Sequence, residues 1–126
     1  MNLNQITIPS TNLHRAVPFY QKLGLELIVD SSPRYARFVC PDGESTFSLH
    51  HSEALASGGE GVQIYFECDN LDEEVSRLKA EGLSFEHDPV DQMWLWREAR
   101  LKDPDGHMIV LYFAGENRLD PPWKVK

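Results

Sequence analysis

Cysteine is scarce in this chain: two residues, Cys40 and Cys68, in a sequence of 126. That is too few for a disulfide framework, and their spacing matches no metal-finger pattern. Both sit at the ends of apolar strand-like runs, which reads as a pair of buried thiols. Long apolar stretches are also lacking, since none approaches the roughly 18 consecutive residues of a membrane span. No membrane partner is therefore expected, and without a basic and apolar leader at the N-terminus the expected location is cytoplasmic. Positive charge is in short supply too, with 12 Lys and Arg against 20 Asp and Glu and a net charge of −8. Nucleic acid is excluded as an expected partner, because phosphate binding needs clustered Lys and Arg. A small cation would be attracted by the same balance. No paired carboxylates, activated nucleophile or phosphate-binding loop stands out.

What the chain does contain is a repeat. Gln5 recurs as Gln63, Asn12-Leu13 as Asn70-Leu71, Val17 as Val75 and Gly24-Leu25 as Gly82-Leu83, each 58 residues on. Pro41-Asp42-Gly43 returns as Pro104-Asp105-Gly106 at a slightly larger offset. The length suits one domain over 1–126, built from two similar halves.

Alternation over Leu3 to Ile8 predicts a strand, ended by Pro9-Ser10-Thr11-Asn12. Asn12 is placed to cap a helix whose stripe is Leu13, Ala16, Val17, Tyr20 and Leu23, and Gly24 closes it. Pro18 interrupts that pattern near the first turn and predicts a slight distortion. Strands are predicted at Leu25 to Val29, Tyr35 to Val39 and Thr46 to His50, giving β-α-β-β-β. Residues 55–61 read as a linker. The order then repeats: a strand over Val62 to Cys68, a helix capped by Asn70 with Leu71, Val75 and Leu78 inward, and Gly82 closing it. Strands are predicted near Ser84 to His87, Met93 to Leu101 and His107 to Phe113. In the tail, Trp123 is expected to pin the chain to an apolar surface, its own or a partner's.

The segment Asn12-Leu13-x-x-Ala16-x-x-Phe19-Tyr20-x-x-Leu23-Gly24 resembles the first-helix signature of the vicinal oxygen chelate superfamily. Asp103-Pro104-Asp105-Gly106-His107 with the apolar strand Met108 to Phe113 resembles its last-hairpin signature. That superfamily includes glyoxalase I, bleomycin resistance proteins and extradiol dioxygenases, and the likeness covers about residues 3 to 113. The resemblance implies an α+β fold, with two tandem βαβββ modules forming an open, cup-shaped mixed sheet, and a homodimer. Pro-Asp-Gly itself reads as a tight hairpin without chemistry.

The resemblance also implies divalent-metal ligands on inward strand positions, which fall here on Gln5, Ser48, Gln63 and Val110. Two neutral amides, a hydroxyl and a valine make a poor ligand set, so no metal cofactor is expected and a divalent ion is the alternative. The histidines do not replace it: His50 and His51 are adjacent in a strand and face opposite ways. His14 reads as exposed, and His87 and His107 as surface residues. Strand parity instead predicts a lining of Gln5, Thr7, Tyr35, Arg37, Ser48, His50, Gln63, Tyr65, Val110 and Tyr112. Trp94 and Trp96 are predicted on one strand face with Glu98 and Arg100. Such a lining suits a planar or amphipathic small molecule. The expectation is a binding protein of the resistance or sequestration type. The alternative is an enzyme, a glyoxalase-type lyase or dioxygenase, metal-dependent or with His50 as base beside Gln5 and Gln63.

Overall fold

The computed structural model describes residues 1–55 and 61–125. Most of the predicted linker therefore lies outside the described residues. The chain divides into two compact units, Met1–Gly61 with Asp103–His107, and Val62–Lys102 with Met108–Lys126. Among the described residues each holds one α-helix and one four-stranded mixed sheet, an α+β architecture of two βαβββ modules.

In the first unit the strands are β1 (Gln5–Ser10), β2 (Glu26–Ser31), β3 (Tyr35–Val39) and β4 (Thr46–His51), with helix α1 at Leu13–Lys22. Their order is β1-β4-β3-β2, with β1 parallel to β4 and the other pairs antiparallel. β1 extends two residues beyond the expected break. Pro9 is accommodated because β1 pairs on one side only, and a strand at a sheet edge tolerates a missing N–H. α1 starts where Asn12 Oδ1 accepts the backbone N–H of Arg15 at 3.2 Å. Pro18 lies well inside α1 rather than near its first turn, and the helix runs through it. Leu13, Ala16 and Tyr20 form the buried side of α1. The Tyr20 ring lies 4.6 Å from Phe47 and 5.9 Å from Phe38 between centroids. With Ile8, Ala36 and Leu49 these residues form the core on the helix side of the sheet. Burying each of the larger apolar side chains contributes about 1.5–3 kcal/mol.

The turn Asp103–His107 belongs to this first unit and is more than a hairpin. Asp103 is buried; it accepts the Tyr20 hydroxyl at 2.5 Å and the backbone N–H groups of Asp105 and His107 at 2.9 Å. Asp105 accepts Ser10 Oγ at 2.5 Å, the Thr11 backbone N–H at 2.8 Å and Thr11 Oγ1 at 2.6 Å. His107 is not the surface residue expected: its Nε2 lies 2.7 Å from the carbonyl of Pro9, and the residue is half-buried.

In the second unit the strands are β5 (Gln63–Glu67), β6 (Val90–Asp91), β7 (Arg97–Lys102) and β8 (Met108–Phe113), with helix α2 at Leu71–Ala80. Their order, β5-β8-β7-β6 with β5 parallel to β8, repeats that of the first. Leu71, Val75 and Leu78 are buried as predicted. Asn70 makes no side-chain cap; Asp72, Glu73 and Glu74 in the first turn complement the helix dipole instead. Ser84 to His87 is not a strand, and β6 is only two residues long. The Trp pair lies outside β7, in a tight turn where Gln92 donates to the carbonyl of Trp96 at 2.7 Å. Leu95 there has φ +67°, a left-handed conformation that breaks extended alternation. The strand therefore begins at Arg97 rather than Met93.

Candidate functional site

Register places the predicted lining residues of each unit on one sheet face, opposite its helix. In the first unit Thr7 pairs with Ser48, and Ser48 with Arg37. His50 pairs with Tyr35, and Gln5 with Thr46. All of these side chains but that of His50 form one continuous polar chain. Gln5 Nε2 donates to Ser48 Oγ at 2.8 Å and to Thr7 Oγ1 at 3.1 Å, while Gln5 Oε1 accepts from Thr46 Oγ1. Ser48 Oγ lies 2.8 Å from the Tyr35 hydroxyl, which accepts Arg37 Nε at 2.9 Å. Hydrogen bonds with Ser48, and then with the Arg37 cation, hold the Tyr35 phenol below its ordinary pKa despite slight desolvation. His50 is exposed, and its Nδ1 lies 3.3 Å from the carbonyl of His51.

The matching face of the second unit is aromatic. Trp96 stacks on Tyr112 with centroids 4.7 Å apart and planes at 23°. Tyr65 meets both rings edge-on, at 5.9 Å and 5.4 Å. Val110 and Tyr112 are buried, whereas Tyr65 keeps 39% of its surface accessible. Burial, with the nearby Glu67 carboxylate, raises the pKa of the Tyr112 phenol. Gln63 Oε1 accepts the Tyr65 hydroxyl at 3.1 Å. Glu98 is fully buried between two donors, Trp94 Nε1 at 2.9 Å and Arg100 Nη2 at 3.2 Å. Trp94 and Trp96 thus join the residues predicted beside them, but through turn geometry and not strand alternation.

The tail is fastened by groups the sequence did not single out. Trp96 Nε1 donates to the carbonyl of Asn117 at 3.3 Å. Glu67 Oε2 accepts the backbone N–H groups of Ala114 and Gly115 at 2.8 and 3.0 Å. Trp123, predicted to pin the tail, leaves 58% of its surface exposed.

The donor chemistry at the four implied metal positions does not fit a divalent ion. Val110 offers no donor atom, and Ser48 is a neutral hydroxyl held by Gln5 and Tyr35. The amide oxygens of Gln5 and Gln63 each already accept a hydrogen bond. Among the described residues, no group of three or more His, Cys, Asp and Glu side chains is placed to hold an ion.

The family model for the Glyoxalase/Bleomycin resistance protein/Dioxygenase superfamily matches residues 2–111. Among curated proteins none matches the sequence. Solved structures do match in fold. One is a glyoxalase/bleomycin resistance protein/dioxygenase from Nocardioides, at TM-score 0.80 and 23% identity, covering 100% of this chain and 90% of that one. A bleomycin-binding protein complexed with bleomycin aligns at TM-score 0.74 and 20% identity, covering 90% and 98%. Lactoylglutathione lyase from Agrobacterium tumefaciens aligns at TM-score 0.75 and 19% identity, covering 94% and 96%. The paired βαβββ modules and the match over most of the chain place this protein in the Glyoxalase/Bleomycin resistance protein/Dioxygenase superfamily.

Proposed function

We propose that this protein binds a planar small molecule on the aromatic face of its second unit, as a resistance or sequestration protein, without a metal ion. One observation carries the reading: Trp96 and Tyr112 are stacked and buttressed edge-on by Tyr65, whose ring remains accessible. Preformed aromatic surface of this kind binds planar ligands at little cost in side-chain ordering. The solved complex of a bleomycin-binding protein with the same fold supports a binding role. A homodimer, which the family likeness implies, and a cytoplasmic location complete the proposal.

Bleomycin is the first probe, followed by a panel of uncharged planar heterocycles, with thermal shift and Trp fluorescence as readouts. Tyr65→Ala should abolish the response while leaving the unliganded melting temperature near that of the parent, because Tyr65 is not part of the buried core. Equal responses from parent and variant would refute the placement. Stoichiometric Zn, Ni, Mn or Fe in protein purified without chelators would refute the metal-free part.

The enzymatic alternative rests on His50, which stands opposite Tyr35 at the edge of the polar chain. Gln5 does not suit the oxyanion role in that scheme, because both ends of its amide are already engaged. Turnover of a glyoxalase-type substrate that survives His50→Ala would eliminate His50 as the base.

A further inference from the structure

The two sheets carry an arginine at the same place and treat it differently. Arg37 pairs across β3 and β4 with Ser48, and Arg100 pairs across β7 and β8 with Val110. Each is preceded two positions earlier on the same strand by the residue that decides its charge environment, Tyr35 in one case and Glu98 in the other. In the second unit the buried carboxylate of Glu98 contacts Arg100 at 3.2 Å, so that cation is compensated. In the first unit a neutral phenol takes the carboxylate's place. Among the described residues Arg37 hydrogen-bonds through Nε alone, to Tyr35, whose ring centroid lies 5.5 Å from its guanidinium carbon, and it forms no ion pair. Nη1 and Nη2 are left, on an exposed residue, as a planar fork of donors.

Proton placement sharpens the picture. Ser48 is buried, and its oxygen already accepts Gln5 Nε2, so its own proton needs an acceptor. The Tyr35 oxygen, 2.8 Å away, is the partner that can take it. Tyr35 then accepts two hydrogen bonds, from Ser48 and from Arg37, and its own O–H is free to point away from both. Two acceptor contacts on the phenol oxygen agree with its lowered pKa.

We propose that Arg37 and Tyr35 form a binding site for the carboxylate group of a small organic acid on the first unit's sheet. The Nη1–Nη2 fork matches the two oxygens of a carboxylate, while the phenol, engaged by Nε on the other side of the guanidinium, holds that fork in place. The class is set by local geometry against the net charge of −8, which disfavours anions in general. This site stands independently of the ligand proposed for the second unit.

The test uses the full chain and benzoate as the probe, with binding read from backbone amide shifts in NMR titrations. Benzamidinium and inorganic phosphate are run in parallel. Benzoate should bind with shifts centred on β3 and β4. Arg37→Gln should weaken it about ten-fold, the loss of a charge-assisted bidentate contact. Arg34→Gln removes the same charge from an exposed neighbour and should leave binding unchanged. Benzoate affinity should fall as pH rises through the ionisation of the phenol, and Tyr35→Phe should remove that dependence. Both substitutions are at solvent-reached side chains, and unchanged melting temperatures would show the fold intact. Tighter binding of benzamidinium or phosphate, equal losses in Arg37→Gln and Arg34→Gln, or no benzoate binding would each overturn the proposal.

Discussion

The hydroxyl of Tyr20 stands 2.5 Å from Oδ2 of Asp103, a residue 83 positions later in the chain. This bond joins the middle of α1 to the Asp103–His107 turn inside the first unit. Burial first, and then the Asp103 charge, push the Tyr20 phenol far above its ordinary pKa. A raised folded-state value means the stabilisation is complete below the unfolded tyrosine pKa of about 10 and is lost as pH climbs above it. Tyr20→Phe should cost about 1.5–3 kcal/mol at neutral pH, because it takes a donor from a buried carboxylate. Urea unfolding at neutral pH and near pH 11 checks this: the parent should lose more stability over that interval than Tyr20→Phe.

Asp105 predicts acid sensitivity. Burial alone would raise its pKa, but hydrogen bonds from Ser10 and Thr11, with His107 nearby, overcome that and hold it below the usual carboxylate range. A depressed value places its contribution above the unfolded pKa of about 3.9, to be lost as pH falls through the folded value. Asp105→Asn should lose about 1 kcal/mol at pH 7, the group being only part-buried and screened. Its unfolding should also vary less than the parent's below about pH 4. A parallel pH dependence in both proteins would show that other groups dominate.

The twin arginines should respond differently to removal of their charge. Arg100→Met leaves Glu98 buried without its cation, and a loss of about 2–3 kcal/mol is expected, discounted because Arg100 is partly exposed. Arg37→Met should stay within about 0.5 kcal/mol of the parent, since among the described residues its charge compensates no carboxylate. Chemical denaturation of the two variants decides between this ordering and its reverse.

Glu67 should act as the clasp of the tail. Glu67→Ala removes the shared acceptor of the Ala114 and Gly115 backbone N–H groups. Amide exchange at those two positions should accelerate, while exchange within β5 and β8 stays near the parent rate. Unaltered protection at Ala114 would assign the tail's order to Trp96 and Asn117 instead.

The module order was legible in local signals. Asn12, Gly24 and Gly82 mark helix ends, and periodicity assigns the buried sides of both helices. Strand parity likewise selects which residues share a sheet face, because alternate residues along a strand must point the same way. Parity fails only where extended geometry fails. The positive φ of Leu95 takes Trp94 and Trp96 out of β7, and the predicted strand at Ser84 to His87 is replaced by β6.

The amino-acid sequence by itself determined the duplicated βαβββ plan and the family, since these depend on residue identity and local periodicity. Tertiary structure alone decided what each polar group touches. Asp103 meets Tyr20, Asp105 meets Ser10 and Thr11, and His107 meets Pro9 across some 90 residues of chain. It also separated two arginines that look alike in sequence. One is neutralised by a buried glutamate and the other is held open by a tyrosine, because charge compensation depends on distance in space and not on position in the chain.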